Sequence, residues 1–245
     1  MQTTKREILF SIAIVCVMLV IGIIISNNIS NSMMDKYQEY NTALQIDNDR
    51  ELFEYGMRTN IGNAFVYGEL KAIDPVTYPE IGGEYSYVEK VKERYTKHTR
   101  TVTKTKTVNG KTKHYTEQED YWTWDQVDSE SIHSEKISFL DVEFDYGKIP
   151  FPGTTHISTI KESSRIRYQY YATDTNYVGT LYTVLADDTI NNTNFYNKYN
   201  IQESIEYLES EWALIVFWIF WILLTVACVG GFCCLDNRWL EDNYY

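Results

Sequence analysis

The sequence predicts an α+β membrane protein. A β-rich extracytoplasmic domain with a long β-hairpin is flanked by two transmembrane helices with helical juxtamembrane extensions. Three observations predict it. Two uncharged apolar runs stand near the ends, residues 8–25 (18 residues) and 212–232 (21 residues). A helix needs roughly 17–25 such residues to cross a hydrocarbon core. The stretch between them carries most of the chain's 21 Tyr together with many Thr, Val and Ile, a composition that favours strands. Finally, Asn109-Gly110 is the dipeptide preferred in a type I′ hairpin turn, where both positions need positive φ.

The expected order is a cytoplasmic N-terminus at 1–7, a first span at 8–25 and a juxtamembrane helical segment at 26–60. A β-rich extracytoplasmic domain follows at 61–198, then a juxtamembrane helix at 199–211, a second span at 212–234 and a cytoplasmic tail at 235–245. Lys5 and Arg6 precede the first span and Arg238 follows the second, while Lys36 and Lys198 are the nearest basic residues on the other side. Positive charge favours the cytoplasm, so both termini are placed there. The first run is longer than a cleavable signal's apolar core, and Ser26-Asn27-Asn28 offers no small-residue cleavage pattern, so it reads as a signal anchor. The tail of 11 residues leaves no room for a kinase, relay or RING domain.

Cys16, Cys228, Cys233 and Cys234 all lie in or beside the spans. No disulfide can then staple the central domain, and its stability must come from packing. Cys233 and Cys234 read as small membrane-compatible residues, with lipidation or metal binding as the alternatives. The net charge of −12 argues against a nucleic-acid partner.

Just outside the first span, Met33, Tyr37, Tyr40 and Leu44 recur at helical spacing, and Ile201, Ile205, Leu208 and Trp212 repeat the pattern before the second. Two helices packed on a core is the plainer reading, an oligomerising stalk the sharper one. Ala64 to Leu70 reads as a strand, broken by Asp74-Pro75 and by Ile81-Gly82-Gly83. The turn at Asn109-Gly110 sets a register in which paired positions sum to 219. Arg100 then faces Glu119, Arg94 faces Asp125, Tyr95 faces Trp124 and Lys97 faces Trp122. A slip of one residue loses all four pairs. Residues 137–144 alternate like one half-buried strand, 165–171 and 178–185 read as two more, and Thr189-Ile190-Asn191-Asn192 reads as a turn towards the final helix. Asn28-Ile29-Ser30 and Asn191-Asn192-Thr193 match glycosylation sequons, relevant only in a eukaryotic host.

Residues 94–113 hold seven Lys or Arg and no acid, and 117–145 hold ten acids and one Lys. The hairpin tip, with Lys104, Lys106, Lys111 and Lys113, is the candidate interaction surface, for anionic head groups, wall polymers or an acidic partner. The plain alternative is a solvated edge whose lysines block strand aggregation. His98, His114, His133 and His156 form no ligand spacing, and His98 and His114 fall on opposite faces of the hairpin. Asp187-Asp188 and Asp141-x-Glu143 read as turn and strand-surface residues. No phosphate loop, dinucleotide fingerprint or nucleophile elbow appears. The expectation is no enzyme, no cofactor and no metal. Trp212 and Trp239 suit interfacial positions. Phe217, Trp218, Phe220 and Trp221 form the candidate membrane-helix interface.

The order of these pieces resembles the GIDE or "beside-a-membrane" (BAM) domain, held between two spans. The resemblance rests on Ala64-Phe65-Val66-Tyr67-Gly68-Glu69-Leu70, on 83–93, on Trp122-Thr123-Trp124-Asp125-Gln126-Val127 followed by Ile137-Ser138-Phe139, and on Val178-Gly179-Thr180-Leu181-Tyr182-Thr183-Val184-Leu185. It covers roughly residues 60–190. The family's second glycine in the late strand is missing, and the RING is missing, so no ubiquitin-ligase activity carries over. The resemblance implies a membrane-proximal domain for protein interaction or sensing.

Two further readings stand beside this one. The chain could be a structural subunit of a larger membrane assembly, such as a secretion, conjugation or phage-encoded envelope complex. It could also be an extracytoplasmic enzyme without a recognisable motif. The expected partners are the bilayer and a protein, either another chain or a second copy, met through the spans or the hairpin. Neither span carries an ionisable residue to line a pore.

Overall fold

A computed structural model of the chain describes residues 5–108 and 111–244, with the side chains of 5, 108, 111, 237 and 239–244 left undescribed. The chain divides into two compact units, Met1–Ala43 with Gln202–Tyr245, and Leu44–Ile201.

The first unit is built on two long helices, α1 (Lys5–Thr42) and α4 (Trp212–Tyr244). Both are long and apolar enough to cross a membrane. They run antiparallel. Arg6 pairs with Asp236 near one end, Phe10 lies against Phe232, and Asn41 donates to Glu209 at the other (2.7 Å). At 38 residues α1 spans about 57 Å, longer than the apolar core of a bilayer. Met33, Tyr37 and Tyr40 are half-buried along it, as a helical stripe requires.

Two features of the segments beside the long helices depart from expectation. Residues 26–60 are not one helical segment: α1 ends at Thr42, and Leu44, expected on the stripe, opens a strand, β1 (Leu44–Asp47). A short helix, α2 (Arg50–Arg58), follows, capped by Asp49, whose carboxylate accepts from the Leu52 N–H at 3.0 Å. Before the second long apolar helix, α3 (Ile201–Leu208) is separate from α4. Ile205 is buried, but Trp212 begins the next helix and is 64% exposed.

The second unit holds two sheets. The first runs β10-β9-β2-β5-β6, with β1 beside β2. Its members are β2 (Gly62–Ala72), β5 (Lys136–Phe139), β6 (Val142–Asp145), β9 (Asn176–Ala186) and β10 (Thr189–Asn197). β1 pairs parallel with β2 through the α2 crossover, while the other pairings are antiparallel. Parallel neighbours need such a crossover. Ile46, Phe53, Met57, Val66, Leu70, Phe139, Leu181 and Leu185 meet in its core.

The stretch 137–144, read as one strand, is two. Leu140 and Asp141 both take positive φ (50° and 57°) and reverse the chain. The turn sends Leu140 back into the core, 7% exposed, where it fills the space above Gly68; a Cβ on that glycine would lie 2.6 Å from Leu140 Cδ2. Residues 189–192 do not form a turn. The reversal sits at Asp187-Asp188 (φ 56° and 55°), and Thr189 starts β10.

The second sheet runs β4-β3-β8-β7. It comprises β3 (Tyr87–Val108), β4 (Lys111–His133), β7 (Thr155–Lys161) and β8 (Ile166–Thr173). Val88, Tyr170 and Ala172 form a small core under a cover of Val76, Tyr78, Ile81 and Tyr85 from the β2–β3 connection.

Candidate functional site

β3 and β4 pair antiparallel along their whole described length, from Tyr87↔His133 to Val108↔Lys111. Arg94↔Asp125, Tyr95↔Trp124, Lys97↔Trp122 and Arg100↔Glu119 are register partners, the four pairs read from the sequence. The connecting Asn109-Gly110 lies outside the described residues. β8 accompanies β3 only as far as Arg94↔Ile166. From residue 95 outwards the two strands continue alone as an arm of about 45 Å. No described arm residue in 95–107 or 112–126 is buried. An isolated two-stranded ribbon is marginal in water, so the arm depends on its own side-chain pairs and on its root.

One face of the arm is a charge zipper. The Arg100 guanidinium donates to Glu119 (2.8 Å), Lys104 pairs with Glu117 (2.7 Å) and His98 Nε2 lies 2.6 Å from Asp125. Hydrogen bonds from Thr123 and then His98 hold the Asp125 carboxyl below its ordinary range. Solvent screens exposed pairs of this kind, so each contributes little by itself. The other face carries Thr99, Thr101, Thr103, Thr105 and Thr107, opposite Asp120, Gln118, Thr116, His114 and Thr112. Lys97 meets Asp120 at 2.6 Å on that face.

Aromatic and guanidinium groups stack at the root. Tyr95 lies against Trp122 (5.3 Å between centroids, 20°) and Trp124 (5.1 Å). Arg167 covers Trp124 at 4.3 Å and Arg165 covers Trp122 at 5.8 Å. Arg167 also donates to Glu93, as does Gln169. Here the ladder shifts register between Lys92 and Glu93, leaving Val127 as the extra residue of a bulge.

Below the bulge, Lys90 enters a cage of tyrosines. Its ammonium lies 5.0 Å from the Tyr168 ring centroid, 5.1 Å from Tyr78 and 6.0 Å from Tyr170. Glu80 (3.0 Å) and Glu130 (3.3 Å) complete its charge. Hydrogen bonds from Lys90 and then Tyr170 lower Glu80 to about 2. Burial, and then its bond to Glu80, pushes Tyr170 up to about 12. Lys90 is itself raised, chiefly by Glu80. Beside it a hollow of about 170 Å³ is lined by Lys90, Lys92, Asp128, Ser129, Glu130 and Tyr168. Sequence reading missed this cluster because its members come from the β2–β3 connection, β3, β4 and β8.

The four tip lysines do not stand alike. Lys104 is engaged by Glu117, Lys106 and Lys113 are direct register partners, and Lys111 pairs by backbone with Val108. Like charges placed opposite each other destabilise a ribbon, so the end of the arm is held against its own repulsion. Of the four candidate interface residues on α4, Phe220 is 61% exposed, while Phe217, Trp218 and Trp221 are half-buried. Trp221 stacks on Phe217 and donates its indole N–H to the Met18 carbonyl at 2.9 Å. It closes over Gly22, where a Cβ would come within 2.5 Å of the indole nitrogen. That side chain is therefore occupied by α1.

Among the described residues no three His, Cys, Asp or Glu side chains gather as a metal-ligand set. The arrangement can bind, through charge, aromatic faces and open strand edges. No family model, no curated protein and no solved structure matches this chain.

Proposed function

We propose that this chain is a non-enzymatic two-span membrane protein whose β-rich domain, extracytoplasmic and held between its anchors, acts as an interaction or sensor module through the β3–β4 hairpin. One observation carries the reading: the arm continues past β8 with no core beneath it. A ribbon that stabilises nothing behind it serves a contact in front of it. The end it presents is basic, with no acid among residues 101–116.

The antiparallel α1–α4 pair supports placing both termini on one side, the cytoplasmic side by the charge rule. A GIDE-like or BAM-like relationship belongs to the same proposal. Two of its motif strands, β2 and β9, pair with Gly68 facing Gly179.

The test is photocrosslinking in intact membranes from a probe replacing Tyr115, which is 46% exposed near the tip. A parallel sample carries Lys104, Lys106, Lys111 and Lys113 changed to Gln. Products with proteins or anionic lipids that are lost in the Gln variant support the module. Products that persist unchanged there, while Trp218→Ala removes co-purifying partners, overturn it in favour of an assembly subunit joined through its spans.

A further inference from the structure

The outer edges of the arm are open, and their composition differs. β4 is the outermost strand of its sheet. The edge of β3 is open once β8 stops at Arg94. The Tyr95 N–H donates to the Arg165 carbonyl, on the β8 side. Backbone groups alternate inward and outward along an antiparallel strand. The outward N–H and C=O groups of β3 beyond Tyr95 are therefore those of Lys97, Thr99, Thr101, Thr103, Thr105 and Thr107. On β4 they belong to the register partners, including Thr112, His114, Thr116, Gln118 and Asp120.

Exposed edges are normally blunted by proline, by bulges, by shortness or by charged side chains such as lysine; here Lys97 and Lys104 are already paired with Asp120 and Glu117 of the same copy. Residues 95–108 contain no proline, and among the described residues the only shift in the β3–β4 ladder lies below, at Lys92/Glu93. Five of the six outward positions on β3 are threonine, β-branched and uncharged, which suits a strand that receives a neighbour. The edge is long and its register is regular.

Charge selects what fits it. The β3 half of the arm carries Arg94, Lys97, Arg100, Lys104 and Lys106 with no acid, and the β4 half carries Glu117, Glu119, Asp120 and Asp125 below the tip, with Lys111 and Lys113 at the tip itself. Two β3 edges brought together would oppose bases, and two β4 edges would oppose acids. Below the tip, from Lys104 to Arg94 on β3 and from Glu117 to Asp125 on β4, a β3 edge against a β4 edge alternates the signs and continues the zipper already formed within each copy. Copies anchored in one bilayer share one sense relative to its normal. Neighbours related by translation therefore hold their arms parallel, which sets β3 of one antiparallel to β4 of the next.

We propose that the arms of neighbouring copies join edge to edge, the outer edge of β3 in one copy pairing with the outer edge of β4 in the next. The contact is strand addition between identical chains. It is heterologous and does not close on itself, so it builds a row within the membrane plane. This deepens the reading of the hairpin as an interaction module by naming a second copy of the chain as the occupant of its edges.

The experiment uses the full chain in membranes, with Cys16, Cys228, Cys233 and Cys234 replaced by Ala. Two differently tagged copies are co-expressed, one Thr101→Cys and the other Gln118→Cys. Equal heights place these two positions side by side across the new edge, within disulfide reach. Oxidation should join the two different variants, while neither variant joins to itself. Adding Thr103→Pro removes an outward N–H and leaves the inward ladder untouched. It should lower the mixed product by about tenfold, the worth of one lost hydrogen bond with its distortion, without changing the melting of the domain.

Products dominated by Thr101→Cys with itself, or a mixed product indifferent to Thr103→Pro, overturn the edge pairing. So does absence of any product while the Tyr115 probe still captures lysine-dependent partners; in that case the module reading stands and only the self-association falls. Loss of lysine-dependent capture with the mixed product retained does the reverse.

Discussion

At the scale of single residues, the informative side chain is Lys90. By sequence it is one more charge on a strand that also carries Lys92 and Arg94. The fold brings Glu80 from a connection ten positions earlier and Tyr170 from a strand eighty positions later. No spacing rule links such positions, so the cage was not legible in advance. Its electrostatics set a pH window. The folded pKa of Glu80 lies at about 2 against an ordinary 4.5. A depressed carboxyl stabilises the fold above its unfolded pKa, and that contribution is lost as pH falls through the folded value. The tyrosine runs the other way. Tyr170 is raised from 10.0 to about 12, so its contribution is full below 10 and disappears as pH rises through 12. The clamp on the β2–β3 connection should be strongest between these limits. Near-ultraviolet circular dichroism of the tyrosines would follow it, and Glu80→Gln should flatten the acid limb between about 4.5 and 2. An acid limb that survives the substitution would place the titrating group elsewhere.

At the scale of elements, local chemistry was legible and long-range placement was not. The β3–β4 register is a consequence of neighbouring residues around one dipeptide, so charge and aromatic pairs announce it. Leu140-Asp141 makes a reversal in which Leu140, a residue that rarely takes positive φ, gains a core position over Gly68. No turn propensity signals that exchange. β1 is four residues long and lies within a stretch that looks helical, and only its parallel pairing with β2 defines it as a strand.

The helix pair carries its own prediction. Ser11 Oγ lies 3.8 Å from Cys233 Sγ across α1 and α4. Ser11→Cys should therefore form an intramolecular disulfide with Cys233 under mild oxidation, seen as a mobility shift that reducing agent reverses. A product found only between chains would mean that α1 and α4 meet in different copies.

At the scale of the whole molecule, the chain separates its tasks. The core of the larger first sheet draws on β1, α2, β2, β5, β6, β9 and β10, and none of its residues comes from α1, α3 or α4. A fragment covering Leu44–Ile201 should then fold alone and melt in one cooperative step, as single domains of this size do. Thermal unfolding monitored by circular dichroism tests it, and a fragment without a sigmoidal transition would show that the anchors are needed for folding. The sequence by itself determined the two apolar helices, the strand-rich middle and the pairing of the arm. Each of these depends on residues close together in the chain, where periodicity and turn chemistry act directly. Only the tertiary structure decided the order of strands in the two sheets, the parallel β1 beside β2, the caged Lys90 and the point at which β8 leaves β3 with an open edge. Those features depend on which distant segments meet, and burial is settled by the assembled fold rather than by any local run of residues.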